Sequence, residues 1–286
     1  MRSSSPSTVE RARPLLGTVV ALRVAGDRAR AEAAIEAAFA AIAGVQRCMS
    51  FHDPDSDLSR LNQSAAHAPQ TVCPRLWRVL QASLALANES AGRFDPSVGW
   101  QLVQWRQLPA PGDSDSVDPE ADWRDVELGR DHRVRYRKPL WLDLGGIAKG
   151  FAVDRAVAVL RAAGMRHGIV NAGGDLRVFG ETPETIRVRD PAAPARSQPL
   201  LHVSNGAVAT SGGYFSARDG HTALVDPLRR VSLGNQVSAT VCAPRAIWAD
   251  ALTKVVLADA DAARPLLRRF RAQAAIVDGD GMGVLQ

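Results

Sequence analysis

The stretch DLGGIAKGFAVD at residues 143–154 is the most informative part of this 286-residue chain. It begins at the end of a predicted apolar strand over residues 139–144. The glycines that follow allow a tight turn, and residues 147–163 have the apolar spacing of a helix that ends at Gly164. The stretch therefore predicts a strand, a glycine turn and a helix in direct succession.

The start of this helix has the features of an anion site. Backbone N–H groups at a helix start attract phosphate, and Lys149 would add a positive charge in the first turn. The spacing matches neither a Walker loop nor a GxGxxG fingerprint. The residues alone leave two interpretations open, a phosphate site and an ordinary corner between a strand and a helix.

Strands and helices mix along the rest of the chain without a regular βαβ alternation, which favours the α+β class. The 46% hydrophobic content can form the core of one domain over residues 14–286, after a flexible segment at 1–13. Polar, proline-containing stretches predict surface loops near residues 109–131 and 190–199. Strands are predicted over 18–24, 168–180 (a pair), 200–204, 222–225 and 237–243, and helices over 28–48, 74–91 and 245–258.

The composition argues against two classes of partner. The net charge is +5, but the basic residues are scattered and form no stripe for nucleic acid. No stretch reaches the roughly 18 apolar residues of a membrane span. The N-terminus has no apolar signal-peptide core, so we expect a cytoplasmic protein unless the recorded start omits a leader. The three cysteines, Cys48, Cys73 and Cys242, lack CxxC spacing and are predicted to be buried apolar side chains, neither disulfide partners nor zinc ligands.

A carboxylate, a hydroxyl and a cation share one face of the predicted helix over 245–258. Asp250, Thr253 and Lys254 stand at positions i, i+3 and i+4. A carboxylate with a hydroxyl one turn later offers the oxygen ligands that Mg²⁺ prefers. The same spacing produces an ordinary surface ion pair between Asp250 and Lys254, and spacing alone favours this second interpretation.

Two further segments could border a ligand. GRFDPSVG at residues 92–99 is by itself a predicted turn. ATSGGY at residues 209–214, followed by His221 and Asp226, could surround a ligand with hydroxyls, an imidazole and a carboxylate. Ser211 with His221 would fit a hydrolase, but no GxSxG motif surrounds any serine, which argues against that class.

Taken in order, these segments resemble the FAD:protein FMN transferases, the ApbE-like flavin transferases. The resemblance spans about residues 16–258, and residues 143–154 are its most specific part. It rests on eight motifs: Leu16-Gly17-Thr18, residues 50–62, Phe94-Asp95-Pro96, residues 143–150, Gly173-Gly174-Asp175, Thr210-Ser211-Gly212, Asp226-Pro227 and residues 249–252.

The resemblance implies a T-fold-like α+β unit of two related halves, with FAD in a cleft between them. It implies a transferase that uses Mg²⁺ to move FMN from FAD onto a Thr or Ser hydroxyl of an acceptor flavoprotein, releasing AMP. The acceptor would carry a short Ser/Thr-containing motif. The implied metal ligands are the carbonyl of Gly146, Asp250 and Thr253, and the candidate catalytic residues are Asp250 and His221. The implied FAD contacts are Leu16, His52, Arg93, Phe94, Asp95, Asp143, Lys149, Thr210, Ser211 and Val225.

The chain departs from the family's pattern at several of these positions. Leu16 stands where the family has a methionine that faces the flavin ring, and His52 stands at the usual tyrosine position. His221 lies one place before the family's histidine pair, and Lys254 stands where the family has a metal-binding threonine. Two alternatives therefore remain: a flavin-binding accessory protein without transferase activity, and a Mg²⁺-dependent FAD hydrolase that yields FMN and AMP.

Overall fold

An eight-stranded antiparallel sheet organises the fold in the computed structural model, which describes residues 7–112, 116–190, 193–213, 219–234, 236–278 and 281–285. The first elements along the chain are β1 (Ser7–Leu15), β2 (Thr18–Gly26), α1 (Arg28–Met49), α2 (Asp57–Ser64), β3 (Gln70–Thr71), α3 (Pro74–Glu89), α4 (Gly99–Gln104), β4 (Val126–Leu128) and β5 (Arg133–Tyr136). The following elements are α5 (Ala148–Ala162), β6 (His167–Ala172), β7 (Asp175–Phe179), β8 (Glu184–Asp190), β9 (Ala193–Val203), β10 (Ala207–Gly212), β11 (Val225–Asp226), β12 (Val231–Ser232), β13 (Ser238–Ala243), α6 (Ala246–Ala258), α7 (Ala260–Arg269), β14 (Gln273–Asp278) and β15 (Gly281–Leu285).

The main sheet has two halves with the same order of elements. Its strand order is β1-β2-β6-β7-β10-β13-β14-β15. Apart from the elements inserted between α1 and α5 and between β10 and β13, the first half runs β1, β2, α1, α5, β6, β7, and the second runs β10, β13, α6, α7, β14, β15. Each half is thus two strands, two helices and two strands, and the antiparallel pair β7–β10 joins the halves. The prediction of a mixed α+β unit of two related halves is confirmed.

A layer of helices packs on one face of the sheet and forms the main core. In β2 the side chains of Val20, Leu22 and Val24 are fully buried, whereas their neighbours along the strand are partly exposed or exposed. This alternation is the period of a strand with one face on the core. The apolar stripe of α1, which includes Ile35 and Phe39, belongs to the same core. Burial of each such side chain contributes about 1.5–3 kcal/mol.

The opposite face of the sheet carries a second, smaller core. It contains Leu176 and Val178 of β7 and Val208 of β10, together with Ile186 and Val203 of the hairpin β8–β9. The hairpin therefore covers part of the face that the helices leave free. The remainder of that face is open to the cleft described below.

Helices α5 and α6 approach each other most closely at Gly150. A Cβ atom on Gly150 would lie 2.8 Å from Cβ of Asp250, and closer still to the carbonyl oxygen of Ala246. Both neighbours belong to α6 and cannot rotate away, because one is a Cβ atom and the other is backbone. A glycine is therefore required at this crossing.

We expect Gly150→Ala to lower the free energy of unfolding by about 2–3 kcal/mol, because the new methyl group forces the two helices apart. Alanine is intrinsically favoured over glycine in a helix by about 1 kcal/mol, so helix propensity alone would predict that this substitution raises the free energy of unfolding. Urea denaturation followed by circular dichroism measures the change.

Gly44 of α1 provides the matched control. Its Cβ would meet the guanidinium ends of Arg75 and, at 3.8 Å, of Arg47, both flexible side chains that can move aside. We therefore expect Gly44→Ala to leave stability unchanged or to raise it by about 0.5–1 kcal/mol. A Gly150→Ala variant as stable as Gly44→Ala would contradict the close crossing.

Several predicted element boundaries are wrong. Residues 7–13, predicted to be flexible, belong to β1, which pairs with β2 along its whole length; residues 1–6 lie outside the described residues. Residues 139–144 form no strand, because the amide of Asn62 bonds both the N–H and the carbonyl of Leu142, and the N–H of Asp143 donates to Pro96. A distant side chain thus replaces the partner strand that the apolar run predicted.

The two predicted surface loops also contain regular structure. The segment 109–131 includes a 3-10 turn at Trp123–Asp125 and the strand β4, and Val117 within it is buried; residues 113–115 lie outside the described part. Residues 193–199 of the second loop belong to β9, which pairs with β8, and residues 191–192 are not described. The strand predicted over 222–225 is replaced by the short β11, and the backbone N–H of Thr222 donates to the hydroxyl of Ser232 at 2.7 Å instead of to a neighbouring strand.

The cysteine prediction is wrong for two of the three residues. Cys48 near the end of α1 and Cys73 at the N-cap of α3 form a disulfide, and Cys242 carries a free thiol. Their separation of 25 residues carries no motif, and only the packing of α1 beside α3 brings them together. Among the described residues, no helix has the length and apolar character that crossing a membrane requires.

Candidate functional site

A cleft of about 1380 Å³ opens across both halves of the sheet. Pockets for small ligands are usually about 300–1,000 Å³, so this cleft has room for a ligand of dinucleotide size. Ala21 of β2 and Thr210 of β10 line it from the two halves. All ten residues predicted to contact FAD line this cleft: Leu16, His52, Arg93, Phe94, Asp95, Asp143, Lys149, Thr210, Ser211 and Val225.

A two-residue hairpin turn places Leu16 at the cleft. Leu15 of β1 pairs with Thr18 of β2, and Leu16 and Gly17 between them both have positive φ, 56° and 70°. Two successive left-handed residues are the pattern of a type I′ turn, which suits the twist of the two strands. The N–H of Leu16 donates to the side chain of Gln46 at 2.7 Å, which holds this leucine in a conformation that is unusual for its type.

The loop after α3 brings Arg93, Phe94 and Asp95 to the same cleft. The N–H of Phe94 donates to the hydroxyl of Ser90 at 3.0 Å, which fixes the start of the loop. The guanidinium of Arg93 donates to Asp259 at 2.9 Å and so attaches the loop to the junction of α6 and α7. The Asp95 carboxylate accepts from the N–H and the hydroxyl of Ser97, at 2.7 and 2.6 Å.

Burial raises the pKa of Asp95 to about 6, although the two hydrogen bonds from Ser97 act in the opposite direction. Because the folded pKa lies above the unfolded value, this group stabilises the fold fully below pH 4 and loses that contribution as the pH rises through about 6. We therefore expect Asp95→Asn to gain stability relative to the parent chain between pH 4 and pH 7, by about 1–3 kcal/mol. Urea denaturation at a series of pH values measures the difference.

Asp118 provides a control of opposite sign, because the backbone N–H of Glu120 lowers the pKa of that exposed carboxyl. Asp118→Asn should therefore be less stable than the parent chain above the unfolded pKa of aspartate, and this difference should disappear as the pH falls through the lower folded pKa. Parallel pH profiles for Asp95→Asn and the parent chain would contradict the raised pKa of Asp95.

The glycine turn connects Asp143 to α5. The N–H of Gly145 donates to the Asp143 carboxylate at 3.1 Å, which is an ordinary turn contact. Burial raises the pKa of Asp143 above its usual range. Lys149, in the first turn of α5, points at carboxylates. It forms an ion pair with Asp175 of β7, and its Nζ lies 4.0 Å from Oδ1 of Asp250.

Lys149 is therefore the cation of a largely buried charge cluster. Burial lowers its pKa, but the carboxylates of Asp250 and Asp175 outweigh this effect and raise the pKa above its ordinary value. Burial acts in the opposite sense on the acids and raises the pKa of Asp175, whose side chain is only 1% exposed. Lys149 thus compensates these acids at the edge of the cleft.

Asp250 is the centre of this cluster, and its side chain is 0% exposed. Oδ2 accepts from the N–H of Gly150 at 3.0 Å, and Oδ1 accepts from Nζ of Lys254 at 2.5 Å. Burial favours protonation of Asp250, but Lys149 and Lys254 hold its pKa below the usual range. The ion pair that the spacing favoured is present, and it is buried beside the cleft instead of lying on the surface.

The match to known proteins covers the residues that build this cleft. The model of the ApbE family matches residues 16–277. The chain belongs to the ApbE family. It is 31% identical to a FAD:protein FMN transferase of Treponema pallidum over 91% of this chain and 81% of that protein.

Solved structures from this family have the same fold. The ApbE protein from Thermotoga maritima is 26% identical and superposes with a TM-score of 0.85, over 98% of this chain and 97% of that one. The flavin transferase ApbE from Vibrio cholerae superposes with a TM-score of 0.81 at 22% identity, over 98% and 96% of the two chains. The resemblance inferred from the motifs is confirmed.

A lysine already bonds one of the metal donors that the ApbE resemblance implies, the carboxylate of Asp250. Nζ of Lys254 bonds the Asp250 carboxylate, and a Cβ atom on Gly146 would lie only 3.3 Å from Cε of Lys254. The Thr253 hydroxyl is fully buried, donates to the carbonyl of Asp250 at 2.6 Å and lies 2.7 Å from the hydroxyl of Ser211. In this arrangement the donor set does not fit a divalent cation, because an ammonium group already lies on it and like charges repel at such distances.

His221 is the one predicted catalytic residue that this ApbE-family structure places elsewhere. Its ring stacks on Trp105, with ring centroids 5.2 Å apart and an interplanar angle of 13°, and it is not among the residues that line the cleft. Its Nδ1 lies 3.1 Å from the carbonyl oxygen of Asp219. The structure therefore gives no support to His221 as a general base.

Two functional positions were missed at the level of sequence. In the sequence, Asp175 stands out only as the last residue of Gly173-Gly174-Asp175, yet it is the principal partner of Lys149. Asp154 closes the stretch 143–154 and accepts from the N–H groups of Ala246 and Ile247, at 3.0 and 3.2 Å. It thereby caps the start of α6 and fixes the helix that carries Asp250. The available signal was an acid among apolar residues inside the predicted helix.

Proposed function

We propose that this chain transfers the FMN portion of FAD to a serine or threonine hydroxyl of an acceptor flavoprotein and releases AMP. One observation carries the proposal: every residue that the family motifs assign to FAD lines a single cleft in a chain of the ApbE family. Relatives that match most of the chain are named FAD:protein FMN transferases.

The proposed reaction is a phosphoryl transfer in which all atoms are accounted for. The acceptor hydroxyl oxygen forms a bond to the phosphorus of the FMN phosphate. The bond from that phosphorus to the bridging oxygen of the pyrophosphate breaks, and AMP leaves with this oxygen. The hydroxyl proton passes to solvent or to the departing phosphate. The protein contributes mainly by positioning and by stabilising charge on the pyrophosphate.

The cleft offers positive charge for such a pyrophosphate. Lys254 and Lys149 line it with side chains that are 21% and 34% exposed, so each side chain borders the cleft but is largely shielded from bulk water. The interaction of a cation with phosphate is stronger in such a setting than at an open surface. The resemblance also implies Mg²⁺ on Gly146, Asp250 and Thr253, and a divalent ion would reach these donors only if Lys254 moved away.

Co-expression with an acceptor flavoprotein tests the proposal. We expect covalent flavin fluorescence on the acceptor band in a denaturing gel, AMP release from FAD by chromatography, and loss of the covalent flavin when the acceptor's serine or threonine is replaced by alanine or valine. AMP release without covalent flavin would instead establish the FAD hydrolase. FAD binding with neither product would establish the accessory flavin-binding protein, which the position of Lys254 favours as the second candidate.

A further inference from the structure

The ammonium group of Lys254 has the contacts of a bound cation. Its Nζ lies 2.5 Å from Oδ1 of Asp250, 2.9 Å from the hydroxyl oxygen of Ser211 and 3.2 Å from the carbonyl oxygen of Asp250. An ammonium group has three N–H donors and no acceptor. The three oxygens accept from these donors in a pocket made of a carboxylate, a hydroxyl and a carbonyl, so the ammonium group would act on a ligand through its positive charge.

The surrounding hydroxyls are oriented to accept this cation. The hydroxyl of Thr253 donates to the carbonyl of Asp250 at 2.6 Å, so its oxygen is free to accept from Ser211 at 2.7 Å. Ser211 can then donate to Thr253 while its own oxygen accepts from Lys254. The hydroxyl hydrogens of Ser211 and Thr253 thus have one acceptor each. The hydrogen bonds form a chain from Lys254 through Ser211 and Thr253 to the carbonyl of Asp250.

The stem of Lys254 passes over the glycine turn at the start of α5. A Cβ atom on Gly146 would lie 3.3 Å from Cε and 3.5 Å from Cγ of Lys254, and 3.6 Å from the ring of Phe94. The lysine therefore bonds Asp250 and lies against Gly146, two of the three residues that the resemblance assigns to a metal. Its side chain also lines the cleft.

We propose that the ammonium group of Lys254 takes the place of a divalent metal in this chain, so that the pyrophosphate of FAD is bound without a metal ion. Asp250, Ser211 and the Asp250 carbonyl hold this built-in cation, much as a lysine acts as a point charge on phosphate in other sites. For binding the inference needs only FAD as the ligand. The further claim that FMN transfer also proceeds without a metal rests on the proposed function. The binding part and the transfer part therefore have separate tests.

Fluorescence titration of FAD, in excess EDTA and in millimolar Mg²⁺, tests the binding part. The parent chain is expected to bind FAD in EDTA with an affinity that Mg²⁺ changes by less than about twofold. Lys254→Thr restores the family's hydroxyl and removes the charge, so its affinity in EDTA is expected to fall about tenfold or more, equivalent to about 1.4 kcal/mol, and to recover when Mg²⁺ is added.

Lys138→Thr is the matched control, because Lys138 pairs with Asp118 at 3.3 Å on the surface and does not line the cleft. It should bind FAD like the parent chain in both conditions. A parent chain whose FAD affinity rises tenfold or more on addition of Mg²⁺ would overturn the inference, and so would a Lys254→Thr variant that binds FAD in EDTA as tightly as Lys138→Thr.

Two further measurements keep the test decisive. Circular dichroism and urea denaturation establish whether Lys254→Thr is folded in EDTA. Lys254→Gln keeps most of the side-chain length and a hydrogen-bond donor but not the charge, and it is expected to lose as much affinity for FAD in EDTA. If neither variant folds, the comparison of EDTA with Mg²⁺ in the parent chain still decides the inference.

AMP release from FAD by the parent chain in EDTA tests the transfer part. Release that EDTA does not reduce supports it. Release that requires Mg²⁺ overturns the inference and leaves the proposed function intact. FAD binding in EDTA without AMP release under either condition supports metal-free binding and contradicts the proposed function.

Discussion

Asp250→Asn is expected to lower the free energy of unfolding by about 3–5 kcal/mol and AMP release from FAD by about a hundredfold or more. The carboxylate has a donor on each oxygen, the N–H of Gly150 on one and the ammonium group of Lys254 on the other. An asparagine amide must turn its NH₂ group towards one of these donors. The change also removes the charge that Lys149 and Lys254 share, in a position with no access to water.

Asp261→Asn is the matched control for this prediction. Asp261 also pairs with a cation on its own helix, Arg264 at 3.2 Å, but its side chain is 91% exposed. Exposed pairs of this kind contribute little, so no measurable change in stability or AMP release is expected. Urea denaturation and chromatographic AMP assays give the two readouts. Asp250→Asn with the stability and activity of Asp261→Asn would show that Asp250 is not the centre of the site.

Lys149→Met is expected to destabilise the fold by a similar amount, about 3–5 kcal/mol at pH 7, because it leaves a buried carboxylate without its partner. Asp175 is 1% exposed and pairs directly with Lys149, and Asp250 loses its second neighbouring cation. Methionine keeps the length of the stem, so the loss of packing is small.

The pH dependence separates loss of charge from loss of packing. Burial already raises the pKa of Asp175, and removal of Lys149 raises it further. The loss of stability in Lys149→Met, relative to the parent chain, should therefore shrink as the pH falls towards the unfolded pKa of aspartate, because a protonated carboxyl group needs no neighbouring cation. Lys138→Met, at an exposed pair, should change little at any pH. A deficit that stays constant between pH 7 and pH 4 would contradict the charge-based account.

Sequence predicted the elements whose hydrogen bonds are local. The helix predicted over 28–48 and the helix predicted over 245–258 match α1 and α6 within about one residue at either end, because their apolar period reports directly on a buried face. The strand predicted over 139–144 was wrong because the backbone of this run bonds Asn62 and Pro96, which a local sequence pattern cannot reveal. Hydrophobic periodicity carries no information about a partner that comes from a distant side chain.

In the candidate site, too, the sequence does not reveal contacts that depend on distant parts of the chain. Motif order placed ten residues in one cleft, since glycine turns and loop carboxylates are recognisable in sequence. The direction of a single side chain is not recognisable in that way. Lys254 could equally have pointed to solvent from the same helix position, and only the packing of α6 against the glycine turn directs it towards Ser211. The disulfide of Cys48 and Cys73 likewise depends on packing between α1 and α3.

The hydrogen bond from Gly150 to Asp250 joins residues 100 positions apart, and it connects the two halves of the sheet. When the ribosome has completed only the first half, the chain already contains Lys149 and Asp175, but the carboxylate that completes the cluster has not yet been synthesised. Such long-range closure comes late in folding, because the chain between the contacts must be ordered first. A nascent chain that ends before α6 therefore lacks Asp250 and Lys254, and its flavin cleft is complete only after the second half has been made.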